Sequence, residues 1–208
     1  MRLVTASALL FALVLALGFA VNASWFVGFD ATLSHALNLR RGPSSEWLVV
    51  LMQAISWIGG GAQRFGIVLV LVLIVSRWWG LRAGVVIALA ALLSELTSEW
   101  LKIFFGRARP DLVTHLDIVH SPAFPSGHAT NAAVVYILLI MLVPPARHRL
   151  WYALAAIMIV LTGVSRIMLG VHWPTDVIGG WMLGTAFALA AAAVVATADS
   201  RKGSAPLH

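Results

Sequence analysis

The run LRAGVVIALAALLSELTSEWLKIFF, from Leu81 to Phe105, decides the fold. It is apolar over most of its length and long enough to cross a bilayer as a helix, which takes about 20 residues at ~1.5 Å each. It also contains Glu95, Glu99 and Lys102. Carboxylates inside a membrane segment are functional candidates by default. Here the three charges are spaced four and three apart on one helical face. An internal ion pair with Lys102 is therefore the simpler expectation, ahead of a role in proton or substrate handling.

Five further runs have the same character: Leu3–Val21, Phe65–Trp79, His128–Val143, Leu150–Leu169 and Thr175–Thr197. The reading is an all-α bundle of six transmembrane helices. Ser44–Ile58 is shorter and has Trp47 and Trp57 near its ends. It is expected to be an additional interfacial amphipathic helix between the first and second spans. The first run is expected to be a retained helix. Arg2 and Val21-Asn22-Ala23 would suit a cleaved signal peptide, but the apolar stretch exceeds the usual core of about 7–15 residues. The whole chain, 1–208, reads as one domain with a short polar tail over about 199–208. Gly180 and Gly184 form a Gly-x-x-x-Gly pair in the last span, as close helix packing requires.

Composition agrees. Of 208 residues, 61% are hydrophobic and 11% charged, against about 25% charged in a soluble domain; mean hydropathy is +0.93. A soluble domain of this length could not bury so much apolar surface, so the bilayer is its solvent. With no cysteine, disulfides, thiol nucleophiles and thiolate metal sites are excluded. The net charge of +6 comes from cations scattered between apolar runs. That pattern suits topology-setting loops and a site rather than nucleic acid.

The loop charges also bear on orientation. Arg2, Arg77, Arg82, Arg147, Arg149, Arg201 and Lys202 fall on one side, accompanied by Asp199. Arg40, Arg41, Arg64, Lys102, Arg107, Arg109 and Arg166 fall on the other, which also holds Asp30, Glu46, Asp111, Asp117 and Asp176. The counts tie. Several cations of the second group belong to a candidate site, so the first group is expected in the cytoplasm. Trp25, Trp78, Trp79, Trp151 and Trp173 sit at helix ends, as an interfacial aromatic belt predicts.

Helix parity locates the chemistry. With six spans, the connections around Gly106–Pro125 and Gly170–Pro174 open on one face, bringing Lys102, Arg107, Arg109, Ser126, His128, Arg166, His172 and Asp176 toward one membrane surface. Arginine's planar fork suits phosphate and lysine adds a point charge. Pro125-Ser126-Gly127-His128 directly precedes an apolar run, where Ser126 can cap a helix and Gly127 lets an anion approach its free N–H groups. His172 and Asp176 are four apart around a helix start marked by Pro174, so the carboxylate can hold one imidazole nitrogen and leave the other as base or nucleophile. Each piece has a plainer reading taken alone: snorkelling cations, a simple cap, an interfacial histidine. His128, His172 and Asp176 could also be metal ligands, but Lys102, Arg109 and Arg166 would repel a divalent ion and attract an oxyanion. His115 and His120 are assigned only loop polarity.

Three motifs now stand in order: Lys-x6-Arg-Pro at Lys102–Pro110, Pro-Ser-Gly-His at Pro125–His128, and Ser-Arg-x5-His-x3-Asp at Ser165–Asp176. Together they resemble the type 2 phosphatidic acid phosphatase (PAP2) superfamily, with Met168 standing where relatives often carry an aromatic residue. The resemblance implies a lipid phosphatase needing no metal and no cofactor. It implies that Lys102, Arg109, Arg166, Ser126 and the Gly127 backbone bind phosphate, and that His172 attacks phosphorus to form a phosphohistidine. It further implies that Asp176 orients His172 and that His128 protonates the leaving oxygen. The expected substrate is a lipid phosphate or pyrophosphate: undecaprenyl pyrophosphate first, then phosphatidylglycerol phosphate or phosphatidic acid, with lipid A phosphates also candidates. The short loops look like bacterial members, so the expected setting is a bacterial inner membrane with the site facing the periplasm or exterior. Phosphotransfer to another acceptor is the alternative enzymatic reading. A non-catalytic lipid-binding or transport protein is the alternative from another class; no broken helices or inverted repeat support transport.

Overall fold

The computed structural model describes residues 1–60, 63–142 and 149–203, with side chains through Thr197. Arg147 and the side chains of Asp199, Arg201 and Lys202, used above for orientation, lie outside the described residues. Among the described residues all regular structure is helical: α1 (Arg2–Asn22), α2 (Val27–Leu37), α3 (Glu46–Gly59), α4 (Gln63–Trp79), α5 (Leu81–Phe105), α6 (Gly127–Leu142), α7 (Arg149–Met168) and α8 (Pro174–Gly203).

α8 is the central helix, packed against α1, α5, α6 and α7, while α4 packs on α5 and α3 on α7. The α6–α8 contact is close because of the two glycines anticipated from sequence. A Cβ on Gly180 would lie 2.5 Å from the Ser126 carbonyl oxygen, and one on Gly184 2.2 Å from that of Thr130. Backbones meet where these residues carry no side chain. A larger apolar core joins α4, α5, α6 and α8 around Val75, Ile87, Leu138 and Ala188. A second joins α1, α5 and α8 through Val14, Leu101, Phe105, Phe124 and Leu183.

The outer faces carry exposed Leu9, Leu69, Leu93, Leu96 and Ile157. Apolar side chains turned outward on helices whose backbone bonds are satisfied internally are what a lipid solvent selects. The chain is an integral membrane protein. α1, α5, α7 and α8 are each long and apolar enough to cross a membrane. α3 and α4 reach that length together as a pair bent by 50°. α6, with 16 residues, is shorter; at ~1.5 Å per residue it covers about 24 Å. Among the described residues there are thus four such spans, or five with the bent pair, against the six expected. The segment expected to lie in the interface, Ser44–Ile58, forms α3 and leads into α4.

α2 was not anticipated. Its inward face carries Asp30 and Ser34, four apart and both buried, which is the inverse of the apolar pattern by which a packed helix is recognised.

Candidate active site

Two loops close over one end of the bundle. Gly106, at φ 58°, ends α5 in the left-handed region, and Gly170, at φ 75°, turns the chain after α7. Glycine takes both without strain. The first loop is closed on itself by Ala123 N to Arg107 O at 2.8 Å, and backbone bonds join it to the second loop and to α8: Leu116 N to Leu169 O at 3.0 Å, and Ser126 N to Asp176 O at 2.9 Å. The last bond ties the start of α6 to the first turn of α8. The Trp173 indole N–H adds a bond to Ala108 O at 3.0 Å.

His172 stands between these loops and is 2% exposed. Its Nδ1 lies 3.4 Å from Asp176 Oδ2, close but not aligned as a hydrogen bond. Such contacts often tighten only once substrate is bound. Its Nε2 lies 3.2 Å from Arg109 Nη1. Burial first, and then the charges of Arg109, Arg166 and Lys102, hold the His172 pKa well below the ordinary histidine value. The imidazole is therefore neutral, and its Nε2 lone pair is turned toward the Arg109 guanidinium, which can only donate. Arg109 is fixed by Ser121 O at 2.8 Å and Val171 O at 2.6 Å. Burial, then Arg166, lowers its pKa to about 10, so it stays charged at neutral pH.

The start of α6 faces this pair. First-turn N–H groups have no intrahelical partner. The buried Ser126 hydroxyl and Arg166 Nε also lack a hydrogen-bond partner among the described residues. Buried polar atoms of that kind call for a ligand able to accept their bonds. A Cβ on Gly127 would stand 3.4 Å from Lys102 Nζ, which puts the lysine beside the same helix end. His128 packs against Gly60, where a Cβ would meet its Nε2 at 1.9 Å, and Asn131 Nδ2 donates to Gly59 O at 3.2 Å. The ring borders a cavity of about 400 Å³ lined also by Gln53, Ser56, Gln63 and Asp117.

The structure thus brings Lys102, Arg109, Ser126, Gly127, His128, Arg166, His172 and Asp176 to one end of the bundle. It adds partners that the sequence reading did not assign. Arg166 binds Ser56 Oγ and Asp117. Arg107 joins Asp176 to Asp30 and bonds Thr175 Oγ1 at 2.7 Å. Arg107 was legible as a cation two residues from Arg109. Asp30 and Asp117 carried no signal beyond being acids near an apolar segment. Glu99 pairs with Lys102, as the simpler expectation had it. Glu95 instead pairs with Arg64 of α4 at 2.8 Å. His115 is used locally, with Nε2 2.6 Å from Pro110 O. Among the described residues no group of three or more histidine, cysteine or carboxylate side chains is placed to hold a metal ion.

Cations crowding a helix N-terminus select an oxyanion, and a neutral imidazole beside them can attack one. Fold and site together define a membrane-embedded phosphoryl-transfer centre. The model of the PAP2 superfamily matches residues 79–200, and the chain belongs to that superfamily. It is similar to phosphatidylglycerophosphatase B of Bacillus subtilis, with 35% identity over 84% of this chain and 87% of the relative. It is also similar to a putative undecaprenyl-diphosphatase of Escherichia coli, with 33% identity over 68% of this chain and 70% of that protein. The crystal structure of a transmembrane PAP2-type phosphatidylglycerolphosphate phosphatase from Bacillus subtilis superposes with a TM-score of 0.78 at 29% identity. That match covers 94% of this chain and 96% of the other. The protein is a membrane lipid phosphatase.

Proposed function

We propose that this enzyme hydrolyses the phosphomonoester of phosphatidylglycerol phosphate through a phosphohistidine at His172. The observation that carries the mechanism is the setting of that imidazole: buried and neutral, with Nδ1 toward Asp176 and Nε2 beside Arg109. Lys102, Arg109, Arg166, the Ser126 hydroxyl and the backbone at Gly127 hold the phosphate oxygens and stabilise the charge they gain in the transition state. His172 Nε2 attacks phosphorus as the ester P–O bond breaks. Asp176 stabilises the imidazolium that forms. His128 donates a proton to the departing alkoxide, so the lipid leaves as an alcohol. Water then attacks the phosphohistidine, giving a proton back to His128 and releasing inorganic phosphate and free His172. No step calls on a metal or cofactor.

The choice of lipid rests on the extent of resemblance to the Bacillus subtilis enzyme. Sequence alone ranked undecaprenyl pyrophosphate first. It is now the second reading, favoured by the Escherichia coli relative. We further propose that the bundle crosses six times, with α3 and α4 forming one bent crossing and α6 a short one. In this arrangement the site faces the exterior of a bacterial inner membrane.

The test is phosphate release by detergent-purified protein from phosphatidylglycerol phosphate, undecaprenyl pyrophosphate, phosphatidic acid and lipid A, with a chelator present. We expect the first to be the best substrate, with a loss of about 10³-fold or more in His172→Ala. A preference for the pyrophosphate would move the second reading ahead. Faster release on adding an acceptor alcohol would indicate transfer. Release unaffected by His172→Ala would contradict the mechanism.

A further inference from the structure

Asp30 lies on α2, outside the residues matched by the family model, and is 1% exposed. A carboxylate so buried is costly unless its charge and lone pairs are met. They are met by two residues. Oδ1 accepts the Thr175 N–H at 3.0 Å, and Oδ2 accepts the Thr175 hydroxyl at 2.7 Å and Arg107 Nη2 at 2.6 Å. The other arm of Arg107, Nη1, binds Asp176 Oδ1. Asp176 Oδ2 accepts the Trp173 N–H at 2.8 Å and faces His172. One guanidinium is therefore shared between two buried carboxylates, only one of which faces the histidine.

We infer that Asp30 is a positioning residue for the reaction, acting on His172 through Arg107 and Asp176. This rests on the phosphohistidine reading above. By taking half of the Arg107 fork, Asp30 keeps that cation from neutralising Asp176 alone. It leaves the second Asp176 oxygen to stabilise the imidazolium that develops on His172. It also keeps Arg107 turned from the phosphate cradle, and through Thr175 it fixes the first turn of α8, which carries Asp176. Asp30 touches none of the proposed phosphate ligands, so its loss acts on kcat and not on substrate binding.

A simple tether of α2 to α8 would share these contacts but not this energetic coupling. The test uses the full chain in detergent with Asp30→Asn, Asp176→Asn, the double variant and His172→Ala. Asp30→Asn is expected to lower kcat by about 10–100-fold, by analogy with the loss of the partner that orients a metal-ligating histidine, with KM within about twofold. In the Asp176→Asn background it is expected to cost nothing further. An equal loss in both backgrounds, or an unchanged kcat, would overturn the inference. Should Asp30→Asn fail to accumulate, Asp30→Glu carries the same comparison: it keeps the charge but displaces the oxygens by one methylene. A kcat loss that vanishes with Asp176→Asn supports the relay, and one that persists overturns it. If His172→Ala retains turnover, the phosphohistidine reading fails and the relay falls with it. If His172→Ala and Asp176→Asn are impaired while Asp30 is silent or additive, the relay alone falls.

Discussion

His172 has a charge state set by its surroundings rather than by its own chemistry. Burial and three neighbouring cations act in the same direction, against protonation. A lowered pKa means that the neutral form persists as pH falls through the ordinary histidine value of about 6.5. Protonation of the native imidazole, and with it loss of the lone pair, is reached only well below that value; native-state stability falls progressively as pH drops below about 6.5, because the unfolded chain takes up the proton first. NMR of nitrogen-labelled histidine, with His172→Gln to assign the signal, is expected to show a neutral imidazole through about pH 6. A midpoint near that of an exposed histidine would contradict the site's electrostatics. His172 and Asp176 were legible because a four-residue spacing at a helix start is local information. Asp30 and Asp117 were not. Each reaches its arginine across long chain separation, and no spacing rule records a contact between residues 30 and 107 or 117 and 166.

Among the elements, α6 and α8 determine whether the site exists, since the Ser126–His128 turn and Asp176 are the first turns of two helices that touch through Gly180 and Gly184. In Gly184→Ala the new methyl would meet a backbone oxygen, and no rotamer change could relieve it. We expect a loss of about 1–3 kcal/mol in thermal stability in detergent, and a fall in turnover as the two helix starts separate. An alanine variant as stable and active as the parent would argue that the crossing is looser than described. The Gly-x-x-x-Gly pair made this contact readable in advance. α2 was hidden because its buried face is polar, and the join between α3 and α4 was hidden because an apolar run ending in tryptophan suits an interface as well as a bent span.

For the whole molecule, the composition fixed the solvent before any element was assigned, and the apolar outer surface agrees with it. Loop parity then brought both motif-bearing connections to one end. What sequence left open is how many helices cross, because length alone does not distinguish a short crossing from a half-inserted helix. Orientation was left open by tied loop charges, several of which are engaged in the site. The absence of cysteine makes orientation measurable. Ile118→Cys, at an exposed position of the site loop, is expected to react with an impermeant maleimide added outside intact cells. Leu81→Cys, at the opposite end of α5, is expected to react only after permeabilisation. The reverse pattern would turn the site to the cytoplasm.

The most direct test of the account is chemical quenching during turnover of a lipid phosphate radiolabelled in its phosphate. The wild-type chain is predicted to carry label that is lost in acid and kept in alkali, as a phosphohistidine is, and His172→Ala to carry none. Turnover by His172→Ala at the wild-type rate, or label of the same lability on that variant, would contradict it.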